Sequence, residues 1–248
     1  MSLLTGETDV FQAASAAGGE PARCAVMFLA RRQTEGFAGY DATHEAAIGR
    51  VIDELAAEGW RLSIREMFDS SAPTHAIVLD TGFTHSFDMA GVFEAPGITE
   101  AIRGTIRLEQ AGWARLFTTE WLIGPREFAP VLGAGAGTDH AWAFLALWEW
   151  NDQWGAATPA ERTAYDFECD HAFKGDLAHG VNIAGRHRFD WAHGWHHLGI
   201  WEAPAPETVD RAITGHERVA DFKFTTSRHV LGRLAPLADL IRPSETAS

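Results

Sequence analysis

Gly91-Val92-Phe93-Glu94-Ala95-Pro96 and Gly199-Ile200-Trp201-Glu202-Ala203-Pro204 are two versions of one hexapeptide, 108 positions apart. The same spacing pairs Arg103 with Arg211, Glu109 with Glu217, Thr118 with Thr226 and Gly124 with Gly232. At other spacings Phe28-Leu29-Ala30 recurs as Phe144-Leu145-Ala146, and Gly59 and Arg65 recur as Gly180 and Arg186. Ordered matches whose spacing changes are what insertions in surface loops produce. The chain therefore reads as two copies of one unit.

Working outward from the hexapeptides, each copy shows the same run of elements. In the second, the aromatic-rich stretch Trp142 to Trp150 is a strand. Thr158-Pro159-Ala160-Glu161 combines a capping box with proline at the first helical position, so a helix starts there and runs to about Ala178, before Gly180. Val181 to Arg188 and Trp195 to Glu202 pair as a hairpin across a turn near His193-Gly194, followed by a helix from Pro206 to Val219 and a strand from Asp221 to Leu231. The first copy reads as strand 24–32, helix 43–57, strands 60–68 and 86–94, helix 98–110 and strand 113–123, with Pro73 to Phe83 lengthening its hairpin. The order β-α-β-β-α-β is the ferredoxin-like split unit. The expected organisation is an arm at 1–22, a first repeat at 23–124, a Gly-rich linker at 125–141, a second repeat at 142–234 and a tail at 235–248.

On that element order and duplication, residues 23 to 234 resemble the dimeric α+β barrel superfamily. The implied fold class is α+β, with two tandem ferredoxin-like repeats closing the barrel within one chain. The fold hosts many chemistries, so it leaves the reaction open.

Composition narrows the partners. A formal charge of -14 argues against nucleic acid, whose binding depends on Lys and Arg releasing counterions, and equally against an anionic membrane surface. No apolar run approaches membrane-spanning length and no secretory signal pattern opens the chain. Two cysteines, Cys24 and Cys169, make no disulfide framework, and the expected location is a reducing cytoplasm. Ten Trp and fifteen Phe supply core area, and in such excess also the walls of a site for a small organic substrate. Homo-oligomerisation through the outer edges is open, and no residue demands it.

The segment from Arg186 to His197 holds four of the twelve histidines, and the first copy lacks them. With the turn centred near 191–193, His187 lies opposite His196 or His197, and directly opposed strand residues bring their Cβ atoms within about 5 Å. His197 alternates with Gly199, where there is no side chain, and is the better partner. The pair would serve as metal ligands or as an acid and base, with Arg188 (aligned with Met67) as a cation for a developing negative charge. Histidines that merely cap a hairpin tip explain the cluster equally. Arg186, matched by Arg65, reads as a structural partner of a carboxylate such as Glu94 or Glu202.

Heme-binding relatives of this barrel, such as chlorite dismutases and aldoxime dehydratases, ligate iron through a histidine of the C-terminal unit. The run Glu161-Arg162 through His171 to Gly175 resembles the corresponding helix of the chlorite dismutases. This implies heme, with His171 as axial metal ligand and Trp148 and Trp201 against the macrocycle; a helix-surface histidine beside Asp170 is the plain alternative. Trp142, Phe144, Trp148 and Trp150 share a strand face that would wall such a ligand or fill a core. Cys169 reads as a small buried hydrophobe, His216 as an exposed helix residue and His229 as a pocket or edge residue. The leading expectation is a heme-dependent oxidoreductase or lyase with His187, Arg188 and His197 around the substrate. The alternatives are a cofactor-free oxygenase, cyclase or isomerase using histidine acid–base chemistry, a non-heme metal held by the hairpin histidines, and a non-catalytic binding protein.

Overall fold

The computed structural model describes residues 23–35, 42–69, 75–128, 130–133 and 140–242. The expected arm at 1–22, the glycine run from 134 to 137 and the tail beyond Arg242 lie outside them. The fold is α+β, with eight antiparallel strands, and the chain divides into two compact units. One contains residues 23–125 and 230–242, the other residues 126–229. No helix among the described residues is long and apolar enough to cross a membrane.

The first unit holds β1 (Cys24–Arg32), α1 (Ala42–Ala57), α2 (Ile64–Phe68), β2 (Ile77–Asp80), β3 (Met89–Ala95), α3 (Ile98–Leu108) and β4 (Phe117–Pro125). Its strands lie in the order β4-β1-β3-β2. Val26 and Phe28 of β1 pack with Ile48 and Leu55 of α1 and with Trp113 in one core. Gly91, in the first hexapeptide, faces Phe28 across the sheet, where a Cβ would come within 2.3 Å of the ring. The backbone is bare there because the phenylalanine occupies that space. Glu94 of the same hexapeptide is fully buried and its carboxylate accepts from Arg23 and Arg61 at 2.8 and 3.0 Å.

One expected strand of this unit is a helix. Residues 60–68 keep only the bridge between Arg61 and Glu94, and from Ile64 the chain turns into α2. Ser63 caps it by accepting from the Glu66 amide at 3.1 Å, and the Glu66 carboxylate accepts in turn from the Leu62 amide. These local bonds satisfy the backbone that a strand would have paired across the sheet. The place beside β3 passes to β2, which falls in the segment read as a mere lengthening of the hairpin and pairs on its other side with residues 233–236.

The second unit holds β5 (Trp142–Trp150), α4 (Asp152–Ala156), α5 (Pro159–Ala178), β6 (Asn182–Arg188), β7 (His197–Ala203), α6 (Pro206–Arg218), α7 (Asp221–Phe224) and the start of β8 (Thr225–Pro236). The strands follow the order β8-β5-β7-β6. Thr158 and Glu161 form the expected capping box, with Pro159 opening α5. The stretch expected to be all linker begins instead beside the outer edge of β6: Arg126 bridges His187 and Val131 bridges Ile183, with amide bonds of 2.8 Å from Glu127 and Val131. It covers an edge that would otherwise present unpaired amides and carbonyls.

Candidate active site in the C-terminal unit

A cavity of about 130 Å³ lies within the second unit, walled by β5, β6, β7 and the start of β8 on one side and by α5, α6 and α7 on the other. Period-two alternation on β5 turns Phe144, Ala146, Trp148 and Trp150 toward it, and α5 contributes Tyr165, Asp166, Cys169 and Phe173 at helical spacing. Trp148 and Trp201, expected as cofactor contacts, both line it, whereas Trp142 does not. Trp150 stacks on Trp154 at 4.0 Å.

The histidine hairpin is registered differently from the expectation. Ile183 pairs with Trp201 but Arg186 with Gly199, so β6 carries one extra residue between them. Gly185 supplies it, at φ 110, a backbone state that only glycine adopts without strain. Unbroken alternation would have carried the cavity face from Ile183 through Gly185 to His187. The bulge turns Arg186 inward instead and gives His187 to the other face, fully buried and paired with Leu198. The cross-strand partner of His197 is Arg188, whose half-exposed side chain is ion-paired with Asp190 at 2.9 Å. The expected pair of His187 and His197 is therefore not formed, and none of His187, Arg188 and His197 lines the cavity.

Arg186 takes the role the sequence assigned to others. It pairs with neither Glu94 nor Glu202: its Nε donates to Glu127 at 2.7 Å, and the guanidinium lies 4.2 Å from the Phe128 ring centroid. Its Nη2 is buried with no hydrogen-bond partner among the described residues. Burial alone would raise Glu127, but the hydrogen bond with His197 and the charge of Arg186 hold its carboxyl down at about 2. His197, stacked on Trp148 at 4.2 Å, contacts the same carboxylate at 3.4 Å. Burial, aided by the Arg186 charge, keeps that imidazole below its usual range despite Glu127, so the contact is that of a neutral ring.

Two further groups face the cavity. Burial pushes the Asp166 carboxyl up to about 6, against the opposing charge of Arg186. Burial also lowers His229, which meets Phe144 edge-on at 5.0 Å. Asp166 on α5 and His229 on β8 thus line opposite walls, one an acid raised toward neutrality and the other a base kept neutral at pH 7, so one can give a proton and the other take it.

On the helix side, His216 is 2% exposed, not on the surface. Its spacing from Val209 and Ala212 puts it in the buried stripe of α6, a signal the sequence offered. Nε2 lies 2.9 Å from Asp176 at the end of α5, and Nδ1 lies 3.0 Å from Asp221. Burial disfavours the imidazolium, yet hydrogen bonds with Asp176, Asp221 and Cys169 outweigh it and hold the pKa well above the ordinary value. Tyr165 donates to the other oxygen of Asp221, and Cys169 Sγ lies 3.7 Å from the Tyr165 hydroxyl. Burial keeps Cys169 a thiol. Ala220, the non-glycine residue at φ 59, starts the short turn that presents Asp221.

No protein-family model matches the chain, and no curated protein matches it. Solved structures do. A mutant chlorite dismutase from Candidatus Nitrospira defluvii superposes with a TM-score of 0.71 at 12% identity, covering 89% of this chain and 95% of that one. This is the chlorite dismutase fold. The chlorite dismutase of that organism in complex with imidazole gives a TM-score of 0.70 at 12% identity, over 88% of this chain and 93% of the other. At such identity the likeness is one of fold.

The residues present do not fit a heme ligated from the helix, as the sequence resemblance implied. His171 is exposed and stacks on Phe167, itself 72% exposed, on the outside of α5. The side chains that α5 turns to the cavity are Tyr165, Asp166, Cys169 and Phe173, none of them an imidazole. Both ring nitrogens of His216 are engaged by carboxylates. Asp166, Glu127 and the inward turn of Arg186 escaped the sequence reading, because each depends on how separate segments meet.

Proposed function

We propose that this chain is an enzyme that moves a proton on a planar, anionic organic substrate held in the C-terminal cavity. The observation that carries the reading is Arg186, a buried guanidinium fixed by Glu127 at 2.7 Å with Nη2 left unpaired among aromatic walls. A buried donor without a partner is costly, and a carboxylate or enolate oxygen of a ligand would satisfy it. Trp148 and Trp201 would hold the flat body of the substrate by stacking. Glu127 keeps the guanidinium aimed, and His197, stacked behind Trp148, holds Glu127.

Asp166 and His229 are the proton-exchanging pair in this reading: the carboxyl stays partly protonated near pH 6 and the imidazole is neutral at pH 7. Arg186 would stabilise negative charge building on the substrate oxygen as carbon is deprotonated. The reaction classes that need these parts are isomerisation, cyclisation and related proton abstraction beside a carbonyl.

The test is a titration of aromatic carboxylates and enolisable aromatic ketones, followed by quenching of tryptophan fluorescence. Binding that Arg186→Ala weakens at least tenfold supports the reading; binding indifferent to Arg186 sinks it. Hemin added to the purified protein distinguishes iron-porphyrin chemistry: a stoichiometric Soret band abolished in His229→Ala would replace proton transfer with the heme reading.

A further inference from the structure

The geometry points to a divalent transition-metal site of the zinc class at Cys169, His216 and Asp221, on the helix wall of the same cavity. One donor atom of each residue, the thiol sulfur, an imidazole nitrogen and a carboxylate oxygen, lies within 4.8 Å of the other two. A tetrahedral ion with bonds of about 2.0–2.3 Å spans separations of that order with small side-chain rotations. A mixed sulfur, nitrogen and oxygen set suits zinc or cobalt(II) and disfavours magnesium or calcium, which take oxygen ligands.

A second observation comes from the far side of the imidazole. Asp176, buried at the end of α5, lies 2.9 Å from Nε2 of His216. A carboxylate behind a ligating histidine is the usual outer partner of a metal site: it fixes the tautomer, orients the ring and increases the basicity of the ligating nitrogen. Here it leaves Nδ1 pointing at Asp221. Tyr165, bonded to Asp221, is the corresponding outer partner of the carboxylate. Three protein donors leave the fourth position of a tetrahedral ion to the cavity, the pattern of a catalytic rather than a structural zinc.

Occupancy is balanced by proton release. The ion displaces the proton between Nδ1 and Asp221 and the proton on Cys169 Sγ, both of which leave to solvent. Cys169 becomes a thiolate, Nε2 keeps its proton toward Asp176, and a water or a substrate oxygen completes the shell. The inference does not rest on the substrate reading above: Arg186 and its anion belong to β6, and the metal donors belong to α5, α6 and α7.

The experiment uses the whole chain freed of metal by a chelator, titrated with cobalt(II) and then zinc(II). The expected result is one equivalent bound at micromolar concentration or tighter, with a thiolate-to-cobalt charge-transfer band and tetrahedral d–d bands that zinc displaces. Cys169→Ser is expected to remove the charge-transfer band and weaken binding at least tenfold, and Asp176→Asn to weaken it by roughly 10- to 100-fold while keeping the band. The wild-type spectrum decides the matter even where a variant fails to fold. No binding at micromolar cobalt, or a bound-cobalt spectrum without a thiolate band, overturns the site. Arg186→Ala should abolish anion binding and leave cobalt binding intact, so either idea can fail alone.

Discussion

Arg188, not His187, stands opposite His197 on the paired strands β6 and β7. That one-residue difference, set by the bulge at Gly185, decides which cation enters the cavity. Gly185→Ala should therefore act at a distance. A side chain at φ 110 is strained, and relief of the strain by removing the bulge would carry Arg186 to the other face. The expected loss is about 1–3 kcal/mol in urea denaturation, with anion binding reduced as in Arg186→Ala. A variant that keeps full stability and full binding would contradict this account.

Glu127 gives the protein an acid-sensitive joint. Its folded pKa is depressed to about 2, from an ordinary 4.5. The stability it contributes is fully present above the ordinary value and is lost as pH falls from there toward 2. Glu127→Gln should cost about 3 kcal/mol at pH 7, since it leaves the Arg186 charge buried without its counter-ion. The difference between wild type and variant in chemical denaturation should shrink as pH falls below 4.5; a constant difference counts against the pairing.

Asp166 has the opposite sign. Its carboxyl is raised to about 6 from 3.8, so ionising it opposes folding, and the penalty grows as pH rises through that interval to a plateau above 6. Asp166→Asn is expected to be neutral near pH 3.5 and stabilising by about 1–2 kcal/mol at pH 8, allowing for partial exposure. With a substrate in hand, the same variant should erase the limb of the pH–rate profile near 6. A limb that survives moves the proton transfer to another group.

The two hexapeptides offer a matched pair of substitutions. Gly91→Ala drives a methyl against Phe28 at 2.3 Å and should cost about 2–3 kcal/mol, whereas at Gly199 the nearest neighbour is 3.8 Å away and Ala should be tolerated within about 1 kcal/mol. Thermal melts of both variants, with Gly199→Ala also assayed for anion binding, check this. Equal destabilisation would mean that the packing around Gly91 relaxes.

His171→Ala is expected to leave melting temperature and hemin response unchanged, because its ring packs only with exposed Phe167 among the ring contacts of the described residues. A loss of a hemin Soret band in this variant would restore His171 as ligand.

Much of the frame was legible from sequence because it rests on local chemistry. Thr158, Pro159 and Glu161 start α5 through bonds made within one turn, and the apolar run from Cys24 to Ala30 marks the body of β1. The element order followed from such signals, and with it the likeness to the chlorite dismutases. Residues 60–68 escaped because their alternation suits a strand, while the bonds among Ser63, Glu66 and Leu62 favour a helix. The site was less legible still. The aromatic face of β5 follows from period two, and the buried position of His216 from its helical spacing. The aim of Arg186, the pairing of Glu127 with it, and the union of Cys169, His216 and Asp221 do not, because each joins segments distant in the chain. Sequence by itself determined most of the elements, residues 60–80 apart, since caps and periodicity act over a few residues. Only the tertiary structure decided register and the meeting of side chains, since a single extra residue in a strand exchanges its two faces.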